Sequence, residues 1–92
     1  VKDVIWVDAA GDYMCVHCVD GQTHILRKTM KQLEQELDPK QFVRVHRSVL
    51  VNNSAVQKVL TLSSGEYVIQ LSNEHEIRVS RSYRDKVRTL FL

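Results

Sequence analysis

Apolar and polar residues alternate over most of this chain, and the alternation is broken at a few places by small or turn-forming residues. The stretch DVIWVDAAGDYMCVHCV (3–19) falls into two apolar pieces. Between them Asp8-Ala9-Ala10-Gly11-Asp12 marks a bend or bulge where the chain is not locked in a ladder. Asp20-Gly21 tolerates positive φ and predicts a tight hairpin turn, after which QTHILR (22–27) returns as the partner strand. The two-residue period resumes in FVRVHRSVLVNN (42–53), AVQKVLTL (55–62), EYVIQL (66–71) and HEIRVS (75–80). Ser63-Ser64-Gly65 and Ser72-Asn73-Glu74 read as connectors. The spacing predicts an antiparallel meander of about seven short strands.

One segment carries a different period. Met30, Leu33 and Leu37 form a single stripe at helical spacing, with Lys31, Gln32, Glu34, Gln35 and Glu36 facing water. Thr29 can cap the first free amides, and Gln32 stands three residues on as its capping-box partner. Asp38-Pro39 ends the helix, because a residue before proline avoids helical geometry. So short a helix needs a sheet to lie on, and its expected role is packing. A second short helix is expected in SRSYRDKVRTLFL (80–92), capped by Ser80 or by Ser82 with Asp85, burying Val87, Leu90 and Phe91.

Ninety-two residues allow one small domain with a single core, here residues 1–92. The contents of 43% hydrophobic and 26% charged residues are ordinary for a folded chain. No apolar run is long enough to span a membrane, no leader peptide opens the sequence, and the expected location is the cytoplasm. A start at Val1 rather than Met reads as a piece of a longer protein.

Chemistry is sparse. Cys15 and Cys18 form a C-x-x-C near His17 and His24, the spacing of a metal or redox pair. On an alternating strand, however, residues three apart face opposite ways, and no second pair completes a tetrahedral site. No metal, cofactor or small-molecule substrate is expected, and the cysteines are read as reduced and structural. The four histidines, 17, 24, 46 and 75, are spread over different strands or turns. Glu74-His75-Glu76 alternates between faces, and no nucleophile elbow, H-E-x-x-H or glycine-rich phosphate loop is present. No catalytic residue is assigned and an enzyme is not expected.

The net charge of +2 leaves a solvated domain and a nucleic-acid binder equally open. Placement says more. In RVHRSVLVNN (44–53), Val45, Val49 and Val51 suffice for a strand, so Arg44, His46, Arg47 and Ser48 are surplus to folding. Further cations gather from Arg78 to Lys86. The helix over 30–37 carries Glu34-Gln35-Glu36, which phosphates would repel, so it is a poor recognition helix. Cations placed where strands meet turns fit a protein that reads DNA from loops and strand ends, arginine bridging guanine N7 and O6 while serine and lysine hold phosphates.

The blocks IWVDAAGDYMCVH (5–17), RKTMKQLEQEL (27–37), FVRVHRSVLVN (42–52) and IRVSRSYRDKV (77–87) resemble, in order, those of the LytTR family of bacterial DNA-binding domains. The resemblance covers nearly the whole chain. It implies a mostly β fold, an elongated stack of small antiparallel sheets with one or two short helices. It also implies the C-terminal output domain of a two-component response regulator, behind a phospho-accepting receiver. Such domains bind promoters as two copies on paired repeats, inserting loops into successive major grooves. The implied partners are double-stranded promoter DNA and a second copy of the full-length protein.

Carried over residue by residue, the implied DNA-binding set is Tyr13, Arg44, His46, Arg47, Ser48, Arg81, Ser82, Arg84 and Lys86. The chain departs from the family at Ser82, where many members carry a second basic residue, which leaves phosphate contact as a reading for Arg81 or Arg84. Plainer readings stand beside these. Arg44 can pair with a glutamate, His46 can be a satisfied structural histidine, and Tyr13 can be a half-buried strand aromatic. Trp6 and Tyr83 read as core, and Asn52-Asn53 as turn formers that tolerate left-handed geometry. The alternative function is a protein-interaction module using exposed strand edges and a basic face. An RNA binder is the third reading, disfavoured by the scarcity of stacking aromatics.

Overall fold

The computed structural model describes residues 3–92 and has principal extents of 36 × 25 × 23 Å. Its strands are β1 (Val4–Ala10), β2 (Tyr13–Cys18), β3 (Thr23–Leu26), β4 (Phe42–His46), β5 (Val49–Asn52), β6 (Val56–Thr61), β7 (Tyr67–Leu71) and β8 (Glu76–Arg78). The helices are α1 (Met30–Glu36) and α2 (Arg84–Phe91), with 3-10 turns at Asn53–Ala55 and Arg81–Tyr83. The strands form a five-stranded antiparallel sheet in the order β3-β2-β1-β5-β4 and a three-stranded sheet in the order β6-β7-β8. The mostly β, two-sheet architecture with two short helices agrees with the expected fold.

The five-stranded sheet buries both faces. On one side Val7, Met14, Val16 and Leu50 pack beneath Met30 and Leu33 of α1. On the other, Ile5, Val43, Val45 and Val51 meet Tyr67, Ile69, Leu71 and Ile77 of the smaller sheet and Val87 of α2. Full burial of each such side chain contributes roughly 1.5–3 kcal/mol. A bulge between Val4 and Trp6 lets Ile5 and Trp6 both face the smaller sheet while Val4 and Val7 face α1. That device explains why VIWV is apolar without a break.

Four features differ from the sequence expectation. First, the sheet is not a plain meander: the chain crosses from β3 through α1 to the far edge, and β5 pairs with β1. Second, β1 stays laddered through Ala10, leaving only Gly11-Asp12 as the hairpin turn, with Gly11 at φ 62°. Third, FVRVHRSVLVNN is two strands, for eight among the described residues, closed by Arg47-Ser48. No glycine or asparagine announces that turn. It is closed by side chains instead: the Ser48 amide and hydroxyl both donate to His46 Nδ1 (3.2 and 2.9 Å), and the Arg44 guanidinium donates to the Arg47 carbonyl.

Fourth, neither Ser80 nor Ser82 caps α2 with its side chain, and Leu90 is exposed; the Arg81–Tyr83 turn supplies the helix entry. The first helix conforms to expectation, with both bonds of the Thr29–Gln32 capping box present. Asn52 and Asn53 shape their turn through side-chain bonds rather than left-handed backbone. Glu74 is the non-glycine residue at positive φ among those described.

Candidate nucleic-acid interface

Strand direction decides which turns meet. β1 runs outward to Ala10 and β2 returns at Tyr13; β4 runs outward to His46 and β5 returns at Val49. Because Asp8 lies opposite Val49, the two hairpin tips stand at the same end of the sheet. The Ala9 amide donates to the Ser48 carbonyl at 2.9 Å, which ties them together. The segment after β8 joins from the other side, its Ser80 amide donating to the Val45 carbonyl at 3.1 Å. Three segments distant in sequence, 10–13, 46–48 and 80–84, are thus neighbours at one end of the molecule.

Their side chains divide into exposed cations and groups that hold the turns. Arg47, Arg81, Ser82, Arg84 and Lys86 are exposed, Lys86 in the first turn of α2. Among the described residues no carboxylate lies within ion-pair distance of Arg47, Arg81, Arg84 or Lys86. The neighbouring cations Arg78 and Arg88 are instead engaged, by Glu66 at 3.8 Å and Asp85 at 2.7 Å. Arg84 lies 5.6 Å over the Tyr67 ring, a contact that orders the stem of the side chain without neutralising it. Tyr13 is 46% exposed as the first residue of β2.

Arg44, His46 and Ser48 are half-buried and hydrogen-bonded to one another's surroundings. The Ser48 amide donates to His46 Nδ1, which holds the imidazole against the turn. Arg44 donates to Glu34 of α1 at 3.2 Å and lies 5.8 Å over the Tyr83 ring.

Arg27 belongs to the same end and was not legible in the sequence reading. It follows β3, whose Leu26 pairs with Met14, and with Gly11, Asp12 and Thr29 it lines an open cleft beside the first hairpin tip. The observed register, with Val19-Asp20-Gly21 as the loop, carries residue 27 back to the level of Tyr13, whereas a two-residue Asp20-Gly21 turn would set it opposite Met14.

Other candidate chemistry resolves as packing. Cys15 and Cys18 are free; Cys15 lies opposite Asp8, while Cys18 packs on the α1 side of the sheet. The described residues contain no cluster of three or more His, Cys, Asp or Glu able to hold a metal. His17 and His75 are brought together across the sequence, each stacked on Trp6, at centroid distances of 4.2 and 4.5 Å. His17 Nε2 also meets Asp8 at 2.6 Å. No helix among the described residues is long and apolar enough to cross a membrane.

A protein-family model described as the LytTr DNA-binding domain matches residues 1–92. The chain belongs to the LytTR family of DNA-binding domains. The fold agrees: a solved LytTr DNA-binding domain from Bacillus cereus superposes with a TM-score of 0.88 at 22% identity, over 97% of this chain and 81% of that one. Among curated relatives, an uncharacterised response regulatory protein of Vibrio cholerae is 32% identical over 89% of this chain and 32% of its own length. The sensory transduction protein LytT of Bacillus subtilis is 26% identical over 97% of this chain and 36% of its own length. This LytTR chain therefore spans about a third of the length of the curated relatives it matches.

Proposed function

We propose that this LytTR domain binds specific double-stranded DNA and regulates transcription in the cytoplasm, as the output part of a two-component response regulator. The supporting observation is the pair of backbone bonds, Ala9 to Ser48 and Ser80 to Val45, that gathers three cation-bearing segments at one end. The first helix is not suited to lie in a groove as a reader, because α1 packs Met30 and Leu33 against the sheet and carries Glu34 and Glu36. The reading is assigned to the turns, with Arg47 donating to base edges in the major groove and Tyr13 contacting DNA from the neighbouring hairpin tip. Arg81, Ser82, Arg84 and Lys86 hold phosphates on one flank, and Arg27 extends the basic surface on the other. Two copies of the full-length protein on paired repeats would double the contact. The names of the curated relatives support the response-regulator setting.

The reading is tested by selecting duplexes from a random library and measuring the salt dependence of binding. Log affinity should fall with log salt at about −0.9 per phosphate contacted. Arg47→Ala should cost about 1–3 kcal/mol and relax preference at one base position, whereas Arg84→Ala should weaken all sequences alike. Unchanged affinity and preference in Arg47→Ala would remove that residue from the reading.

A protein-interaction role has its own observation. Every residue of β3 is exposed on the sheet edge, with Ile25 57% and nearby Val19 67% accessible. A gel shift with duplex, single-stranded DNA and RNA competitors separates this reading from DNA binding.

A further inference from the structure

Arg44 is the one cation of the interface that touches three elements at once, and what it touches is protein. Its Nη1 donates to Glu34 on α1 at 3.2 Å, its Nη2 donates to the Arg47 carbonyl in the β4–β5 turn, and its guanidinium carbon lies 5.8 Å over the Tyr83 ring. The side chain is 20% exposed, and its Nε is buried without a partner among the described residues. A guanidinium so engaged has little left to offer a phosphate. From this we infer that Arg44 is a positioning residue, and that Glu34, an acid on the helix packed against the sheet, sets DNA selectivity through it.

The physical logic is that of a planar fork. Arginine can satisfy a carboxylate, a carbonyl and an aromatic face together because its donors are fixed in one plane; lysine, a point charge on a flexible stem, cannot. Glu34 holds the fork, and the fork holds the carbonyl of the residue that carries the exposed Arg47 side chain. Tyr83, beneath it, belongs to the Arg81–Tyr83 turn, which carries Arg81 and leads into α2 with Arg84 and Lys86. One ion pair thus fixes the spacing of two DNA-facing segments that, among the described residues, share the Ser80–Val45 bond as their direct backbone link. The register bulge between Arg44 and His46 makes that spacing adjustable, since the backbone there is not held by regular ladder bonds.

This inference rests on the DNA-binding reading above, and its test separates the two. Ordinary electrostatics predicts that deleting an acid from a DNA-binding domain tightens binding to any duplex. Positioning predicts the reverse for the cognate sequence. The probes are a duplex enriched by the unmodified chain from a random library and an unrelated duplex of equal length. Glu34→Ala should weaken the enriched duplex by about threefold to tenfold, the scale of a partly buried charge-assisted contact, while the unrelated duplex binds unchanged or more tightly. Arg44→Lys keeps the charge that a phosphate contact would need and should nevertheless lose selectivity to the same extent. The double variant should lose no more than either single one, since all three break the same unit.

Glu34 is partly exposed, so its variant keeps the fold, and circular dichroism checks this. Equal or tighter binding of the enriched duplex by Glu34→Ala, or wild-type selectivity in Arg44→Lys, overturns the inference alone. If the unmodified chain enriches no duplex, the interface reading fails and takes the inference with it.

Discussion

Asn52 is 1% exposed and sits at the end of β5, so its amide offers a sharp test of how β5 is fixed to β1 and to the Asn53–Ala55 turn that leads to the smaller sheet. Its Nδ2 donates to the Val4 carbonyl at 2.7 Å, and its Oδ1 accepts from the Ser54 amide at 3.1 Å and the Ser54 hydroxyl at 2.9 Å. Asn52→Ala deletes all three. The Val4 bond counts most: Val4 is half-buried, and its side-chain donor is lost without a replacement at hand. Ser54 is exposed and regains water, so its two bonds count for less. With net values near 1 kcal/mol per bond and a small cavity term, the loss is about 2–4 kcal/mol. That is a large share of the ~5–15 kcal/mol that holds a domain folded. In urea, with a slope of ~1–2 kcal/mol per M for a chain of this size, the midpoint should fall by about 2 M at constant slope. Asn52→Asp keeps the acceptor for Ser54 but loses the donor and buries a charge, and should destabilise at least as much at neutral pH. A loss below ~0.5 kcal/mol for Asn52→Ala would refute the assignment of this amide as the anchor of the turn that follows β5.

Three further outcomes follow from local geometry. Thr29→Ala removes the cap of α1 and should cost about 1 kcal/mol, read as a lowered melting temperature. Gly65 sits at φ 88°, and an added Cβ would lie 3.4 Å from Arg84 Nη2; Gly65→Ala should cost ~1–2 kcal/mol and weaken DNA binding, whereas Gly11→Ala, at φ 62° in open space, should show the backbone cost alone. Ser48→Ala loses the hydroxyl bond to His46 Nδ1 and should cost ~0.5–1.5 kcal/mol in stability, with a loss of base preference that a denaturation curve would not account for.

Much of this was legible in the residues because local signals agreed with the tertiary fold. The Thr29–Gln32 box, the Asp20-Gly21 turn and the period of β6, β7 and β8 each declare themselves over a few residues. What escaped is what only three-dimensional pairing supplies. The Arg47-Ser48 turn is closed by His46 and Arg44 rather than by glycine, so FVRVHRSVLVNN read as one strand. The Ile5 bulge hides a two-sided strand inside an apolar run. Leu90 was expected in a buried stripe with Val87 and Phe91, but only those two pack on the core and Leu90 is 51% exposed. The candidate site shows the same division. The types and rough places of Arg47, Ser48, Arg81 and Arg84 could be read directly. Their assembly depends on two backbone bonds between distant segments, which no spacing encodes, and Arg27 enters only through the register of β3 on β2.

The central claim is that DNA meets the end of the five-stranded sheet where the 10–13, 46–48 and 80–84 segments converge. Titrating isotopically labelled chain with a selected duplex and following backbone amide signals by NMR tests it directly. The account predicts large changes confined to those segments and to Arg27-Lys28, with the outer face of α1 and the exposed edge of β3 unmoved. Changes centred on Lys31–Gln35 or on Thr23–Leu26, with the three turns silent, would contradict it.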